Sequence, residues 1–371
     1  MEDARQSLKR LLTRVDVEIN GERPWDPQIH RNDFYSSVFS GGSLALGETY
    51  MEGWWDCEQL DEFFYRVLSA RIDKKVKNSW YLIFQNLRAK FFNLQSQNRA
   101  SIVGEEHYDA GNDLFKKMLD ERMVYSCGYW RRADDLDGAQ EDKLDLICRK
   151  LNLEPGMRLL DIGCGWGSFV EYAAKNYDVA ATGITISEEQ EKLAAERCKD
   201  LPVEIRYQDY RDVEEKFDRI VSIGMFEHVG YKNYESYMET VERCLVEDGL
   251  SLLHTIGNHD QSITTDPWID KYIFPNGMIP SAGQVVEAAE DYFIIEDWHN
   301  FGPDYDKTLM SWYENLDAAW SELSENYSEE FYRMWTYYLQ MTAGSFRARK
   351  NNVWQIVFSP KTINRQYRSV R

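Results

Sequence analysis

Leu159-Leu160-Asp161-Ile162-Gly163-Cys164-Gly165-Trp166-Gly167 runs directly into Ser168-Phe169-Val170-Glu171-Tyr172-Ala173-Ala174-Lys175. A short apolar run ends in an acid, glycine then appears three times in alternation, and helical spacing begins. The reading is strand, tight turn, helix. Glycines let the backbone bend sharply and approach a ligand with no Cβ in the way. The first amides of the new helix point at whatever sits there. A nucleotide-like cofactor at the carboxyl end of the first strand of an open α/β sheet is the expected occupant.

The pattern discriminates between cofactors. A dinucleotide fingerprint needs G-x-G-x-x-G and an acidic residue about 20 positions on. Here the third glycine comes one position early, at Gly167, and Ala180-Ala181-Thr182-Gly183-Ile184-Thr185 offers no carboxylate for a ribose. An acidic strand end followed by G-x-G-x-G instead resembles the first motif of S-adenosylmethionine (SAM) methyltransferases.

The chain has 371 residues, long for one domain and comfortable for two. A hydrophobic fraction of 43% and an aromatic fraction of 14% supply a core and exclude disorder. The excess of 63 acidic over 43 basic residues, a formal charge of −20, argues against nucleic acid as a partner. The six cysteines form no C-x-x-C pair or metal-like spacing, so reduced thiols and no metal are expected. Met1-Glu2-Asp3-Ala4-Arg5 lacks an apolar leader, and no run approaches about 18 apolar residues. The expectation is a cytoplasmic protein, neither exported nor membrane-spanning.

Outward from the glycine turn, the spacing predicts strands over 157–162, 179–184, 203–207, 217–223 and 251–256. Helices over 188–198 and 234–245 alternate with them. A helix over 285–290, a strand over 292–296, helices near 306–323 and 329–350 and a strand over 353–358 follow. Alternating strands and helices imply an α/β fold with a mostly parallel, doubly wound sheet. Residues 1–100 read as a smaller, mainly helical N-terminal domain that contacts lipid, and 101–371 as the catalytic domain. Gly41 to Trp55 is rich in glycine and aromatic residues and is expected to pack tightly. Between Phe63 and Gly104, Arg66, Arg71, Lys74, Lys75, Lys77, Arg88, Lys90 and Arg99 face one acid, Asp73. Trp80, Phe84, Phe91 and Phe92 are interleaved. A basic, aromatic amphipathic helix in so acidic a chain suggests a membrane-surface element, with an ordinary core helix or an oligomer contact as the alternatives.

Taken together, the chain closely resembles the cyclopropane-fatty-acyl-phospholipid synthases. The motifs that carry this begin with Gly47 to Trp55, His107-Tyr108-Asp109-Ala110-Gly111-Asn112-Asp113 and Tyr125-Ser126-Cys127. Leu160 to Gly167, Gly183 to Ser187, Gln208 to Asp212 and Gly224 to Gly230 continue the series. His254 to Gly257, Tyr272 to Gly277 and Phe301 to Tyr305 complete it. The resemblance implies a Rossmann-like methyltransferase sheet, SAM as methylene donor and the double bond of an unsaturated phospholipid acyl chain as acceptor. It also implies a homodimer acting peripherally at the inner face of the cytoplasmic membrane.

Matched motif by motif, Gly163, Gly165 and Gly167 would hold the methionine end of SAM, with Asp161 beneath its amino group. Tyr108, Tyr125 and Ser126 would close over it. Thr185, Ile186 and Gln190 would serve the ribose, and Gln208 and Asp209 the adenine. Cys127, Glu227, His254, Tyr305 and the backbone of Ile256 would cradle a bicarbonate ion that acts as base. Bicarbonate carries both a proton and acceptor oxygens, so a carboxylate with donors beside it suits it. A fatty-acyl methyltransferase that leaves a methyl branch is the neighbouring alternative. Thr342 stands where some relatives have a cysteine once suspected of catalysis. A hydroxyl does not replace a reactive thiolate without a base, so that thiol is expected to be dispensable.

Overall fold

The computed structural model describes residues 2–71, 111–262, 264–362 and 366–371. Tyr108 and the lysines and aromatic residues of the expected membrane element beyond Arg71 lie outside the described residues. In chain order the first elements are α1 (Glu2–Thr13), β1 (Gln28–Ile29), α2 (Phe34–Met51), β2 (Trp55–Asp56) and α3 (Leu60–Ser69). Then come α4 (Asn112–Met118), α5 (Leu136–Lys150), β3 (Arg158–Ile162), α6 (Ser168–Tyr177), β4 (Ala180–Thr185) and α7 (Glu188–Cys198). β5 (Val203–Tyr207), β6 (Phe217–Ile223), α8 (Tyr234–Cys244), β7 (Leu245–Asn258) and α9 (Pro267–Tyr272) follow. The last are α10 (Ala282–Ala289), β8 (Phe293–Asn300), α11 (Pro303–Leu323), α12 (Glu329–Arg347) and β9 (Asn351–Pro360).

The chain divides into two compact units. One comprises Asn93–Ser262, Asn276–Asp304 and Asn352–Arg371, and it carries a seven-stranded sheet of order β5-β4-β3-β6-β7-β9-β8. β5, β4, β3, β6 and β7 pair in parallel, and β8 runs antiparallel to β9. Side chains alternate across a strand, so each strand feeds two cores. Leu160, Ile162, Ile184 and Ile220 join Tyr237, Met238 and Val241 of α8 and Val285 of α10. Leu159, Ala181, Val221 and Leu252 join Ile147 of α5 and Phe169 and Val170 of α6. The sheet is therefore doubly wound, as expected. Its strand order reverses at β3, where such folds bind ligands beyond the carboxyl ends of the strands.

The other unit comprises Met1–Phe92, Ile263–Pro275 and Tyr305–Asn351. The sequence reading places a boundary at residue 100 and assigns everything beyond it to the catalytic domain; the packing instead draws two later segments into this unit. The reason is aromatic surface. Tyr337 of α12 meets Tyr50 of α2, Phe64 of α3 and Trp268 of α9 at centroid distances of 5.5, 5.3 and 4.6 Å. A Cβ on Gly47 would lie 2.3 Å from Trp268, and one on Gly344 would lie 2.5 Å from the Asp61 carbonyl. The glycines are what let these helices approach so closely. Arg347 closes the same seam with Asp61 at 2.7 Å and Asp306 at 2.9 Å. Thr342 sits half-buried on α12. Among the described residues, no helix is long and apolar enough to cross a membrane.

Candidate active site

The site grows from the strand ends. Asp161 lies one residue before the end of β3, paired in register with Gly183 of β4 and Val221 of β6. It is buried, and among the described residues its Oδ1 has no hydrogen-bond partner. Burial pushes its carboxyl up to about 7, with Lys143 pulling the other way. The turn that follows is held by the amides of Gly163 and Cys164, which both donate to the Ile184 carbonyl at 3.0 Å.

The three glycines have φ of +82°, +54° and +81°, a region that strains residues with a Cβ. They differ in what surrounds them. A Cβ on Gly163 would meet Met225 at 2.7 Å and one on Gly167 would meet Ala194 at 3.0 Å, but one on Gly165 would meet nothing within 4 Å. Protein packing thus explains two of the glycines. The third leaves open space at the mouth of the turn, and its backbone is free for a ligand to approach.

At the end of β4, Thr185 donates to Gln190 Oε1 at 2.8 Å, and Ser187 caps α7. Ile186 is half-buried beside them. The Thr185 carbonyl accepts from the Gln208 amide at 2.9 Å, which brings the β5 end to the β4 end. Gln208 spends its side-chain amide on the Asp212 carbonyl at 2.9 Å. Asp209 closes its own turn onto the Arg211 amide and pairs with the Arg211 guanidinium at 2.9 Å. Any adenine contact by Asp209 is therefore shared with Arg211.

The segment 120–128 lies behind the turn. The Tyr125 ring packs edge-on against Phe115 at 5.2 Å, and Phe115 in turn meets Trp166 of the glycine turn at the same distance. Ser126 accepts from Lys143 at its hydroxyl and from Gln140 at its carbonyl, at 2.8 and 2.9 Å. Cys127 is fully buried, its thiol directed to the Gly128 carbonyl at 3.1 Å.

Glu227 and His254 complete the site in this unit. Glu227 sits on a short turn, Phe226–His228, after β6, and Ile223 pairs with His254 on β7. Glu227 Oε1 accepts from the Ile256 amide at 2.6 Å, whereas Oε2 is buried with no partner among the described residues. The Ile256 N–H is thus taken by Glu227 rather than offered to an ion. Burial pushes the Glu227 carboxyl up to about 7, opposed by its hydrogen bonds. Burial and the charges of Lys143, Lys150 and His299 hold the His254 imidazole well below its usual range, so it is neutral. Gln355 Nε2 lies 3.3 Å from His254 Nδ1. With the amide donating, the ring proton sits on Nε2. Tyr305 belongs to the other unit, where its ring packs on Phe346 at 4.7 Å and Trp312 at 5.8 Å.

Comparison with known proteins decides among the folds that share such a strand end. The family model described as mycolic acid cyclopropane synthetase matches residues 95–356. The chain belongs to that family. It is 55% identical over 349 residues to the cyclopropane-fatty-acyl-phospholipid synthase of Escherichia coli, covering 94% of this chain and 91% of that protein. Among solved structures it is similar to a cyclopropane synthase of Mycobacterium tuberculosis (33% identity, 70% of this chain, 97% of that one, TM-score 0.66). It is also similar to a mycolic acid cyclopropane synthase solved with SAH and CTAB (34% identity, 70% and 97% coverage, TM-score 0.65). The expected methyltransferase sheet is therefore the fold of this family.

Family motifs pick out the candidate site residues; they do not pick out the residues that hold those in place. Lys143, Gln140 and Gln355 were missed, and Phe301 stood in a quoted motif without a role. Lys143 and Gln140 lie on a helix whose sequence shows ordinary mixed polarity. Gln355 did leave a signal: it is the one polar residue between Val353 and Phe358, in a strand buried from Asn352 onward. Phe301 meets the His254 ring edge-on at 5.7 Å.

Proposed function

We propose that this chain transfers a methylene group from SAM to the cis double bond of unsaturated phospholipid acyl chains and closes a cyclopropane ring. The observation that carries the reading is the pair of buried carboxyls, Asp161 and Glu227. They stand at neighbouring strand ends, each with one oxygen that lacks a partner among the described residues. A buried acceptor without a donor is costly, so both are arranged for groups brought in from outside.

The residues fit SAM. Asp161 Oδ1 suits a cationic amino group, and the open turn at Gly165 suits its carboxylate. Gly163, Gly167, Tyr108, Tyr125, Ser126, Thr185, Ile186, Gln190, Gln208 and Asp209 would hold the remainder. Bound there, SAM supplies an electrophilic methyl group. An alkene is a weak nucleophile, so the protein must hold it in line with that methyl. Burial keeps water from the cationic chain that forms, and the aromatic faces nearby steady positive charge.

The residues also fit bicarbonate, which supplies a base for the proton lost on ring closure. Glu227 Oε2 would accept its O–H, and the neutral His254 would donate from Nε2. The buried Cys127 thiol of the same unit would complete the set. Ile256 acts here through Glu227, because its N–H fixes the orientation of that carboxylate.

The protein works peripherally at the inner face of the cytoplasmic membrane, as a homodimer. The basic, aromatic 66–99 stretch supports the membrane part, and the resemblance supports the dimer. The test is transfer of label from methyl-labelled SAM into extracted lipid. Unsaturated vesicles should gain label and fully saturated ones should not. Equal labelling of both, or of neither, would overturn the reading.

A further inference from the structure

Lys143 is a lysine with no solvent exposure in the middle of α5. Burying an ammonium costs several kcal/mol unless something compensates for it. A methionine of the same length would fill the space without that cost, so the charge needs an explanation. Its hydrogen bond goes to the Ser126 hydroxyl at 2.8 Å. One turn earlier on the same helix, Gln140 donates to the Ser126 and Val124 carbonyls at 2.9 and 3.4 Å. On the far side, Asp120 accepts from the Val124 amide at 2.7 Å. α5 thus fixes the 120–126 segment from behind, and Lys143 is the member that reaches the side chain of Ser126.

The charges around this lysine are specific. The charges of Asp120, Cys127 and Asp161 favour its protonated form against burial, and His254 feels it together with Lys150 and His299. For Asp161, Lys143 is the one charged group whose influence is resolved. Burial favours the neutral acid at Asp161, and a neutral acid attracts a cation far less.

We propose that Lys143 is a positioning residue of the cofactor site, holding the Ser126 hydroxyl and supplying the charge that keeps Asp161 ionised for a cationic amino group. The proposal rests on the reading of Asp161 and Ser126 as contacts of SAM. Lys143 keeps its own proton up to about pH 8, so its charge is present where Asp161 titrates.

The test is calorimetric titration of the full chain with SAH from pH 6 to 9, for wild type, Lys143→Met, Ser126→Ala and Asp161→Asn. Comparing variants at one pH cancels the ligand's own titration. Wild-type affinity should fall as pH drops through about 7, where Asp161 takes a proton. In Lys143→Met that fall should move up by about one pH unit, costing roughly fivefold at pH 7 and little at pH 9 beyond the lost hydroxyl orientation. Ser126→Ala should lose affinity by the same factor at every pH. A Lys143→Met protein whose affinity falls at the wild-type pH overturns the proposal, because a purely structural lysine would give that result. If Lys143→Met does not fold, Lys143→Arg keeps the charge and must keep the wild-type pH limb; a shift of a full unit overturns the proposal equally. Wild-type affinity in Asp161→Asn would instead overturn the cofactor reading beneath it.

Discussion

Two carboxyls, Asp161 and Glu227, are both lifted to about 7 by burial, and they are assigned different tasks. Each works as the anion and is protonated below its pKa, so activity should fall as pH drops through neutrality. Saturation with SAM separates the two. Bound cofactor keeps Asp161 ionised, so the acid limb that persists in kcat belongs to Glu227. Glu227→Gln should bind SAH within about twofold of wild type, lose on the order of a hundredfold in kcat and lose that limb. Initial rates from pH 5.5 to 8.5, with and without bicarbonate in the buffer, check this; wild-type rates in both would contradict it. At Gly165, a φ of +54° and the open space beyond mean that Gly165→Val both strains the turn and fills the cofactor's approach. Calorimetry should show SAH affinity reduced by at least a hundredfold in a protein with an unchanged circular dichroism spectrum. The glycines and the acid at a strand end were legible because their chemistry is local. Lys143 and Gln355 were not, because each acts on a residue far away in sequence, 17 positions for Ser126 and 101 for His254.

At the scale of elements, the strands read true because buried strands are continuous apolar runs between turn residues. β5 and β6 fall at the expected 203–207 and 217–223. α5 starts at Leu136 because Asp135 caps it by accepting from the Gly138 amide. α2 bears out the expectation of close packing around Gly41 to Trp55: Gly47 is seated on Trp268. Gly47→Val should cost about 1–3 kcal/mol through overpacking, read as a lower urea midpoint; an unchanged midpoint would show that the helices can separate without cost. The basic stretch carries its own prediction, argued from charge. Each Lys or Arg near an anionic surface is worth about 1 kcal/mol, while repulsion from the acidic body is screened beyond about 8 Å in physiological salt. Lys74, Lys75 and Lys77 all changed to Glu should weaken co-sedimentation with anionic vesicles, in a salt-dependent way, and leave SAH affinity unaltered. Co-sedimentation equal to wild type would remove this stretch as the anchor.

At the scale of the molecule, the division into units was the least legible feature. Periodicity shows that α11 and α12 are amphipathic but not which surface covers them. Only the assembled aromatic contacts of Tyr337 reveal that α12 belongs with α2, α3 and α9. The sheet and its cofactor turn, by contrast, follow from about nine residues around Asp161, and family motifs extend that reading along the chain. Ring closure is the step that sets this reaction apart, since an enzyme that stopped after methyl transfer would leave a branch. The decisive measurement is NMR of the lipid recovered after incubation with SAM and vesicles of a cis-unsaturated phospholipid. Upfield cyclopropane methylene protons and loss of the olefinic signal are expected, with mass increased by one CH₂ per double bond. A methyl doublet on a saturated or unsaturated chain, with no ring signal, would contradict ring closure.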